Sequence, residues 1–191
     1  EEVIRSLIDA GLLYQEREVW RTRSGDRAPA VPMGVQSVIL SRVERLDERS
    51  RHVLQLASVI GRVFRQRVLA QMLPDEVDLP SVLWGLEERA LVYQERAIPE
   101  VEYSFKHVLT REAVYHNLPQ SRRAILHRQV AQALERLFPE RMEEQVGLLA
   151  YHWERAGDAE KAAEYLLQAG DQARLAYAHQ EAVDFYRRAL V

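Results

Sequence analysis

Helical periodicity fills the chain from His107 to its end, and one stretch of it occurs twice. Residues 159–169 are echoed by residues 179–189, so that Ala162 and Ala182 hold equivalent positions 20 residues apart. Repetition of this kind is typical of an α-solenoid, in which each helical unit buries its apolar face against the next one. The repetition therefore constrains residues 107–191 to a helical array.

Small and large side chains are arranged around Gly157 as they are in tetratricopeptide repeats. With Gly157 at a turn, the close-contact positions hold Ala150, Ala162 and Ala169, and the large positions hold Leu149, Trp153 and Leu166. Val146 stands where the repeat usually has Trp. Because the echo is shorter than the roughly 34 residues of a full repeat, we expect a second hairpin with a shortened first helix. In this interpretation Gly170 separates a helix at 159–169 from another at 171–178.

The chain before His107 has a different order of elements. Apolar spacing predicts helices near 3–8, 35–46, 48–60, 64–73 and 79–89, and short strands at 12–14, 19–22, 91–94 and 101–105. Asp47 is placed to cap the start of one helix and Gly61 to end it. Three helices followed by a hairpin are the order of a winged helix. We therefore predict a mainly α fold: a hairpin and linker helix (1–46), a winged-helix domain with a small β-hairpin (47–106) and a tetratricopeptide-like α-solenoid (107–191).

Composition and missing motifs narrow the function. The 26 Lys+Arg and 29 Asp+Glu give a net charge of -3, so no global basic field attracts nucleic acid or lipid. There is no phosphate-binding glycine loop, no metal-binding pair of histidines on one helix and no catalytic constellation, so we expect no enzyme activity, cofactor or metal in this chain. The absence of cysteine, of a signal peptide and of a long apolar run indicates a cytoplasmic protein without a membrane partner.

The helix that a winged-helix domain would place in DNA is predicted at 79–90. Its only basic residue is Arg89, which follows Glu87 and Glu88. Such a helix repels phosphates, which argues against DNA as a partner.

The succession of motifs resembles a known family. The hairpin and helix are followed by Val59-Ile60-Gly61-Arg62-x-Phe64, Phe105-x-His107, Tyr115, Arg122-Arg123-x-x-x-Leu126-His127 and a helical array with Ala-Gly-Asp. This order is similar to the C-terminal regulatory half of bacterial STAND ATPases, which are signal-transducing proteins often joined to class III adenylyl cyclase, kinase or transcription-regulator domains. The resemblance implies that residues 1–46 include the end of an ATPase helical lid. It also implies ATP and ADP as cofactors of a longer parent protein and homo-oligomerisation as part of its cycle.

The resemblance also implies a role for His107. In the wider family the winged helix ends in a Met-His-Asp-like motif whose His contacts the β-phosphate of ADP, and His107 stands at that place. Val108 replaces the Asp of the motif, so the match is incomplete. The alternative is a His that caps or packs against the start of the helix at 108–117.

Four residues are candidates for binding a partner. Arg122 and Arg123 lie next to an acidic stretch with Glu140, Glu143 and Glu144, and they form either a solvated helix face or an interdomain contact. Trp153 and Tyr177 either line a concave peptide-binding face or belong to the core.

Three functions remain open from these residues. The first is a regulatory segment whose partners are an upstream ATPase domain and an effector on the repeats. The second is a free-standing tetratricopeptide adaptor for a protein partner, and the third is a transcription regulator. Because the sequence lacks an initiator Met and ends within a helical pattern, we expect a piece of a longer protein.

Overall fold

The structure is a computed structural model that describes residues 13–16, 19–22 and 33–190. Its strands are β1 (Leu13–Glu16), β2 (Val19–Thr22), β3 (Val63–Arg65), β4 (Val92–Arg96) and β5 (Glu102–Phe105). Its α-helices are α1 (Met33–Glu44), α2 (Glu48–Ile60), α3 (Gln66–Gln71), α4 (Leu79–Glu88), α5 (Val108–Asn117), α6 (Gln120–Leu137), α7 (Met142–Ala156), α8 (Ala159–Leu175) and α9 (His179–Ala189). The described chain is mainly helical with small antiparallel sheets, as predicted.

The first elements predicted along the chain are a short helix and a hairpin. Strands β1 and β2 pair antiparallel, with Leu13 opposite Thr22, which confirms the predicted hairpin. The helix expected at 3–8 lies outside the described residues. Among the described helices, none is long and apolar enough to cross a membrane.

Helices α2 to α4 and strands β3 to β5 form what we call the sheet unit (residues 48–105). Asp47 caps α2, since its Oδ1 accepts a hydrogen bond from the Ser50 amide at 2.9 Å, and Gly61 ends that helix. Apolar residues of the helices and the sheet form the centre of the unit, where the Phe64 and Phe105 rings meet edge to face at 5.8 Å. The predicted cap at Asp47 and the predicted end of the helix at Gly61 are confirmed.

The prediction of a helix over 64–73 is wrong in its first part. Residues 63–65 are strand β3, which pairs antiparallel with β5 so that Phe64 lies opposite Tyr103, and helix α3 begins only at Gln66. The sheet therefore has three strands in the order β3-β5-β4 instead of the two of a simple hairpin. Because β3 pairs with a strand far along the chain, the sequence near residues 64–73 gives no local sign of this pairing. The pairing holds residues 63–65 in an extended conformation in spite of the helical pattern of residues 64–73.

Helices α5 to α9 form what we call the helical array (residues 108–189), in which α6 packs on α7, α7 on α8, and α8 on α9. Gly157 ends α7 with a positive φ of 72°, and Asp158 caps α8 by accepting from the Lys161 amide at 3.3 Å. Within the array, the Glu135 Oε1 accepts from the Trp153 indole at 3.1 Å and the Tyr165 hydroxyl at 2.8 Å.

The predicted break at Gly170 is wrong, because α8 runs without interruption from Ala159 to Leu175. Gly170 allows α8 and α9 to approach closely, because a Cβ at this position would lie 2.5 Å from Cε1 of Tyr186 on α9. The array therefore has no shortened helix at 171–178. The echoed segments are successive helices, α8 and α9, and α8 packs on a neighbour at each side.

The sheet unit and the helical array share one hydrophobic core. Helix α5 packs on α1 and α2, and α6 packs on α2 and α3. The start of α5, directly after strand β5, is therefore the point at which the chain passes from one unit to the other.

Candidate functional site

His107 lies at that point of passage, as the residue before the first turn of α5. Its backbone is extended (φ -132°, ψ 135°), and its carbonyl accepts from the Thr110 amide at 3.0 Å. The side chain is exposed and makes no capping hydrogen bond. The alternative in which the imidazole caps α5 is therefore wrong. The ring is open to a group outside the described residues, beside a helix N-terminus where anions are favoured.

The two candidate arginines of α6 differ in their surroundings. Arg122 is exposed, whereas Arg123 is half-buried with its Cζ 5.1 Å from the centroid of the Tyr115 ring. Glu144 of the acidic stretch is paired elsewhere, since its carboxylate accepts a hydrogen bond from Arg141 Nε at 2.9 Å. Within the described residues no carboxylate pairs with Arg122 or Arg123.

The two aromatic candidates, Trp153 and Tyr177, differ in their exposure to solvent. Trp153 is only 4% exposed and hydrogen-bonded to Glu135, so the suggestion that it lines an open face is wrong. Tyr177 is 83% exposed, has a positive φ of 60° and lies at the turn between α8 and α9. It borders a shallow depression together with His179, Val183 and Arg187. Of the two, only Tyr177 is available to a partner.

A buried chain of hydrogen bonds, which the sequence analysis missed, joins three helices of the array. The Tyr115 Oη of α5 lies 2.9 Å from Nε2 of His127 on α6. The His127 Nδ1 in turn lies 2.8 Å from Nδ1 of His152 on α7. Both imidazoles are fully buried, and His152 Nε2 has no hydrogen-bond partner within the described residues. The signal was present, because His127 lies on the same helical face as the core residues Val130 and Leu134.

Burial is the main cause that holds this histidine pair neutral. Burial, together with smaller contributions from the charges of Arg155, Arg111 and Arg123, lowers the pKa of His127 to about 4. Burial likewise lowers the pKa of His152 to about 3, with added repulsion from His127, Arg155 and Arg111. Each imidazole therefore remains uncharged at neutral pH.

The surface of α4 presents few basic groups that could contact a nucleic acid. Arg89 Nη1 donates to the Gly85 carbonyl of its own helix at 2.8 Å, and Glu87 Oε1 accepts from the Gln94 amide at 2.6 Å. The most exposed large hydrophobic side chain of the helix is Trp84 (65%). In the described parts of the chain, no group of three or more His, Cys, Asp or Glu residues is placed to hold a metal ion.

Comparison with known proteins adds one relative. No protein-family model matches the chain. An uncharacterized protein of Rhizobium meliloti (strain 1021) is 29% identical over 164 residues, which are 85% of this chain. The chain spans only 16% of the length of that relative. The matching region is therefore one part of a much longer bacterial protein.

Proposed function

We propose that this chain is a non-catalytic regulatory segment of a multidomain signalling ATPase of the STAND class. In this proposal the sheet unit is a winged helix that closes over the ADP of an ATPase domain in the same parent protein. The helical array is a tetratricopeptide-like receiver for an effector. The observation that carries the proposal is the open imidazole of His107 at the passage between the two units.

The chemistry of His107 suits contact with a phosphate. An imidazole N–H donates to a phosphate oxygen, and the amides of the first turn of α5 add to the positive potential there. Because the α5 helix continues into the core between the two units, a contact at His107 is mechanically connected to the array. The length of the Rhizobium relative is consistent with such a segment in a larger protein.

The mechanism would be a two-state switch. ADP favours the closed state through its contact with His107, and an effector on the array favours an open, ATP-bound state that oligomerises. Each ligand shifts the equilibrium only by its difference in affinity for the two states. The parent protein would act in the cytoplasm.

The test is a His107→Ala substitution in the full-length parent protein. We expect the purified variant to retain less ADP than the wild type and to have a higher basal output. His179→Ala, an exposed histidine on α9, is the control and should change neither quantity. Unchanged ADP retention together with unchanged basal output would overturn the proposal, as would a parent protein without a phosphate-binding loop upstream.

A second function, adaptor binding of a partner peptide, is favoured by Tyr177. Its exposed ring and the adjacent depression on α9 give a contact surface of the kind that solenoids present. Tyr177→Ala would then abolish capture of that partner without affecting ADP retention in the parent protein.

A further inference from the structure

The three-stranded sheet has two edge strands, β3 and β4, and the outward backbone groups of the two edges differ in their surroundings. In an antiparallel ladder, successive residues alternate between facing the partner strand and facing outward. Because the Lys106 amide donates to the Leu91 carbonyl at 3.0 Å, the amide of Gln94 faces away from β5. Glu87 Oε1 of α4 accepts a hydrogen bond from this amide at 2.6 Å. The outward amide of the β4 edge is therefore occupied by a side chain.

The β3 edge has outward backbone groups that are not occupied in this way. The Phe105 amide donates to the Arg62 carbonyl at 3.0 Å, so the ladder turns the backbone groups of Val63 and Arg65 away from β5. The Arg65 carbonyl belongs to the first turn of α3, because Arg65 is the N-cap of that helix. Within the described residues, no hydrogen bond engages the Val63 amide, the Val63 carbonyl or the Arg65 amide. A Cβ on Gly61 would lie 3.2 Å from the Val63 carbonyl oxygen, so the glycine leaves room beside this acceptor.

A cleft of about 240 Å³ lies beside the β3 edge, between the sheet unit and the helical array. One side is formed by β3 and by residues of α2 and α3, and the other side by α6 and α7. Most of its wall is apolar: Ile60, Val63, Phe64, Val68, Leu134 and Leu148. Val63 and Leu148 are 45% and 39% exposed, so part of this apolar wall faces solvent. Since an apolar cavity of about 150 Å³ holds a benzene ring, the cleft has room for a leucine or phenylalanine side chain.

The polar groups of the cleft favour an uncharged ligand group. Arg65 Nε lies 3.5 Å from Glu102 Oε1, so the two charged residues that line the cleft neutralise each other. The remaining polar residue is Gln145 of α7, which is uncharged and 9% exposed. A charged group would lose its hydration here without gaining a free counter-charge, whereas an apolar group would cover the exposed apolar wall.

The edge and the cleft together fit one kind of ligand. A residue placed opposite Val63 can donate to the Val63 carbonyl and accept from the Val63 amide, as in an antiparallel pair. Its side chain then projects on the same face of the sheet as the side chains of Val63 and Arg65, both of which line the cleft. We propose that the cleft binds an extended peptide of a partner protein. The peptide adds a strand to β3 and places one apolar side chain, of the size of leucine or phenylalanine, in the cleft.

This peptide site goes beyond the regulatory function proposed above and uses neither His107 nor Tyr177. Because it needs only residues of this chain, it can be tested without ADP and without an ATPase domain. Its failure is therefore distinguishable from failure of the proposed function.

The test is an NMR titration of the 191-residue chain with the blocked peptide acetyl-Ser-Thr-Leu-Thr-Ser-amide. We expect saturable binding with a Kd of roughly 0.1–1 mM, since a short flexible peptide loses much of its freedom on binding. The amide protons of Val63 and Arg65 should shift downfield and exchange more slowly with solvent. The amides of Phe64 and Gln94 should keep their exchange rates, because the first faces β5 and the second already donates to Glu87.

Two modified peptides test the two parts of the contact on the unmodified chain. Replacing the peptide's leucine by alanine removes the apolar anchor and should weaken binding by about tenfold or more. N-methylation of the leucine removes its hydrogen bond to the Val63 carbonyl and should weaken binding by about fivefold to tenfold.

A matched pair of protein variants locates the site. Leu148→Glu places a charge in the wall of the cleft and should weaken binding by about tenfold. Leu167→Glu changes a leucine of α8 that is 49% exposed, and it should change binding by less than about twofold.

Three results would overturn the proposal. Absence of shifts at Val63 and Arg65 up to about 10 mM peptide, or equal weakening by Leu148→Glu and Leu167→Glu, would overturn the site itself. Undiminished binding of the N-methylated peptide would overturn the pairing with β3. Dimerisation of the chain without peptide, abolished by Leu148→Glu, would show that a second copy occupies the cleft instead of a partner's peptide.

Discussion

Acid should destabilise this fold steeply below neutral pH, because His127 and His152 are buried as neutral imidazoles. In the unfolded chain each imidazole has a pKa of about 6.5, whereas in the fold the pKa is lowered to about 4 for His127 and about 3 for His152. The unfolded chain therefore binds protons that the folded chain rejects. The contribution to stability is fully present above pH 6.5 and is lost as the pH falls toward 4.

The size of the effect follows from linkage. Each proton that only the unfolded chain binds removes about 1.4 kcal/mol per pH unit. For the two histidines, the free energy of unfolding should fall by about 4 kcal/mol between pH 7 and pH 5. This loss is a large fraction of the 5–15 kcal/mol, roughly, that stabilises a typical domain.

The assay is urea unfolding followed by helical circular dichroism at pH 7, 6 and 5. The double variant His127→Gln, His152→Gln keeps polar side chains that do not titrate, so its unfolding free energy should depend on pH less than that of the wild type by about the same 4 kcal/mol. The single variant His179→Gln, at an exposed position, should keep the wild-type dependence.

A measurement on the unmodified chain guards against a double variant that does not fold. At pH 5, the imidazole resonances of His127 and His152 should remain those of neutral rings. The reasoning would be refuted if either buried resonance titrated near pH 6.5, or if the double variant retained the full pH dependence.

Two further substitutions test the packing of the array by urea unfolding. Gly170→Ala should cost about 1–3 kcal/mol because its methyl group would overlap the Tyr186 ring, whereas Gly147→Ala, with no atom within 4 Å of the new Cβ, should stabilise α7 by about 0.5–1 kcal/mol; equal effects would contradict the close contact. Glu135→Ala should cost about 2 kcal/mol and alter tryptophan fluorescence, because it leaves the indole and phenol donors without their acceptor. The exposed Glu140→Ala should have neither effect, and a neutral outcome at Glu135 would show that water replaces the carboxylate.

The helices and their ends could largely be predicted from the sequence, because caps and turns act over a few residues. Asp47 and Gly157 show this directly: each sets a helix boundary through its own side chain or its own φ. Strand β3 and the continuity of α8 could not be predicted in the same way. Strand β3 depends on pairing with residues 102–104, and the glycine within α8 corresponds to a close approach of the Tyr186 ring, which only the packing of α9 reveals.

The candidate site residues show the same contrast between what local sequence predicts and what long-range packing decides. The sequence left two roles open for His107, and only the structure shows that its side chain is exposed, while the burial of His127 and Trp153 depends on how α6, α7 and α8 pack together. His127 is buried, whereas its neighbour in the sequence, Arg128, is exposed and pairs with Asp158 at 3.5 Å. Charge in the sequence is a weak guide where a helix has one buried face.

The continuity of α8 changes what counts as the repeating unit of this chain. The 20-residue echo corresponds to one helix, so the smallest duplication of the pattern adds a single helix instead of a hairpin. Successive helices run in opposite directions, and a gain of one unit would therefore reverse every helix that follows it. Only gains or losses in even numbers keep the orientation of later segments, which restricts how an array of this kind can lengthen or shorten during evolution.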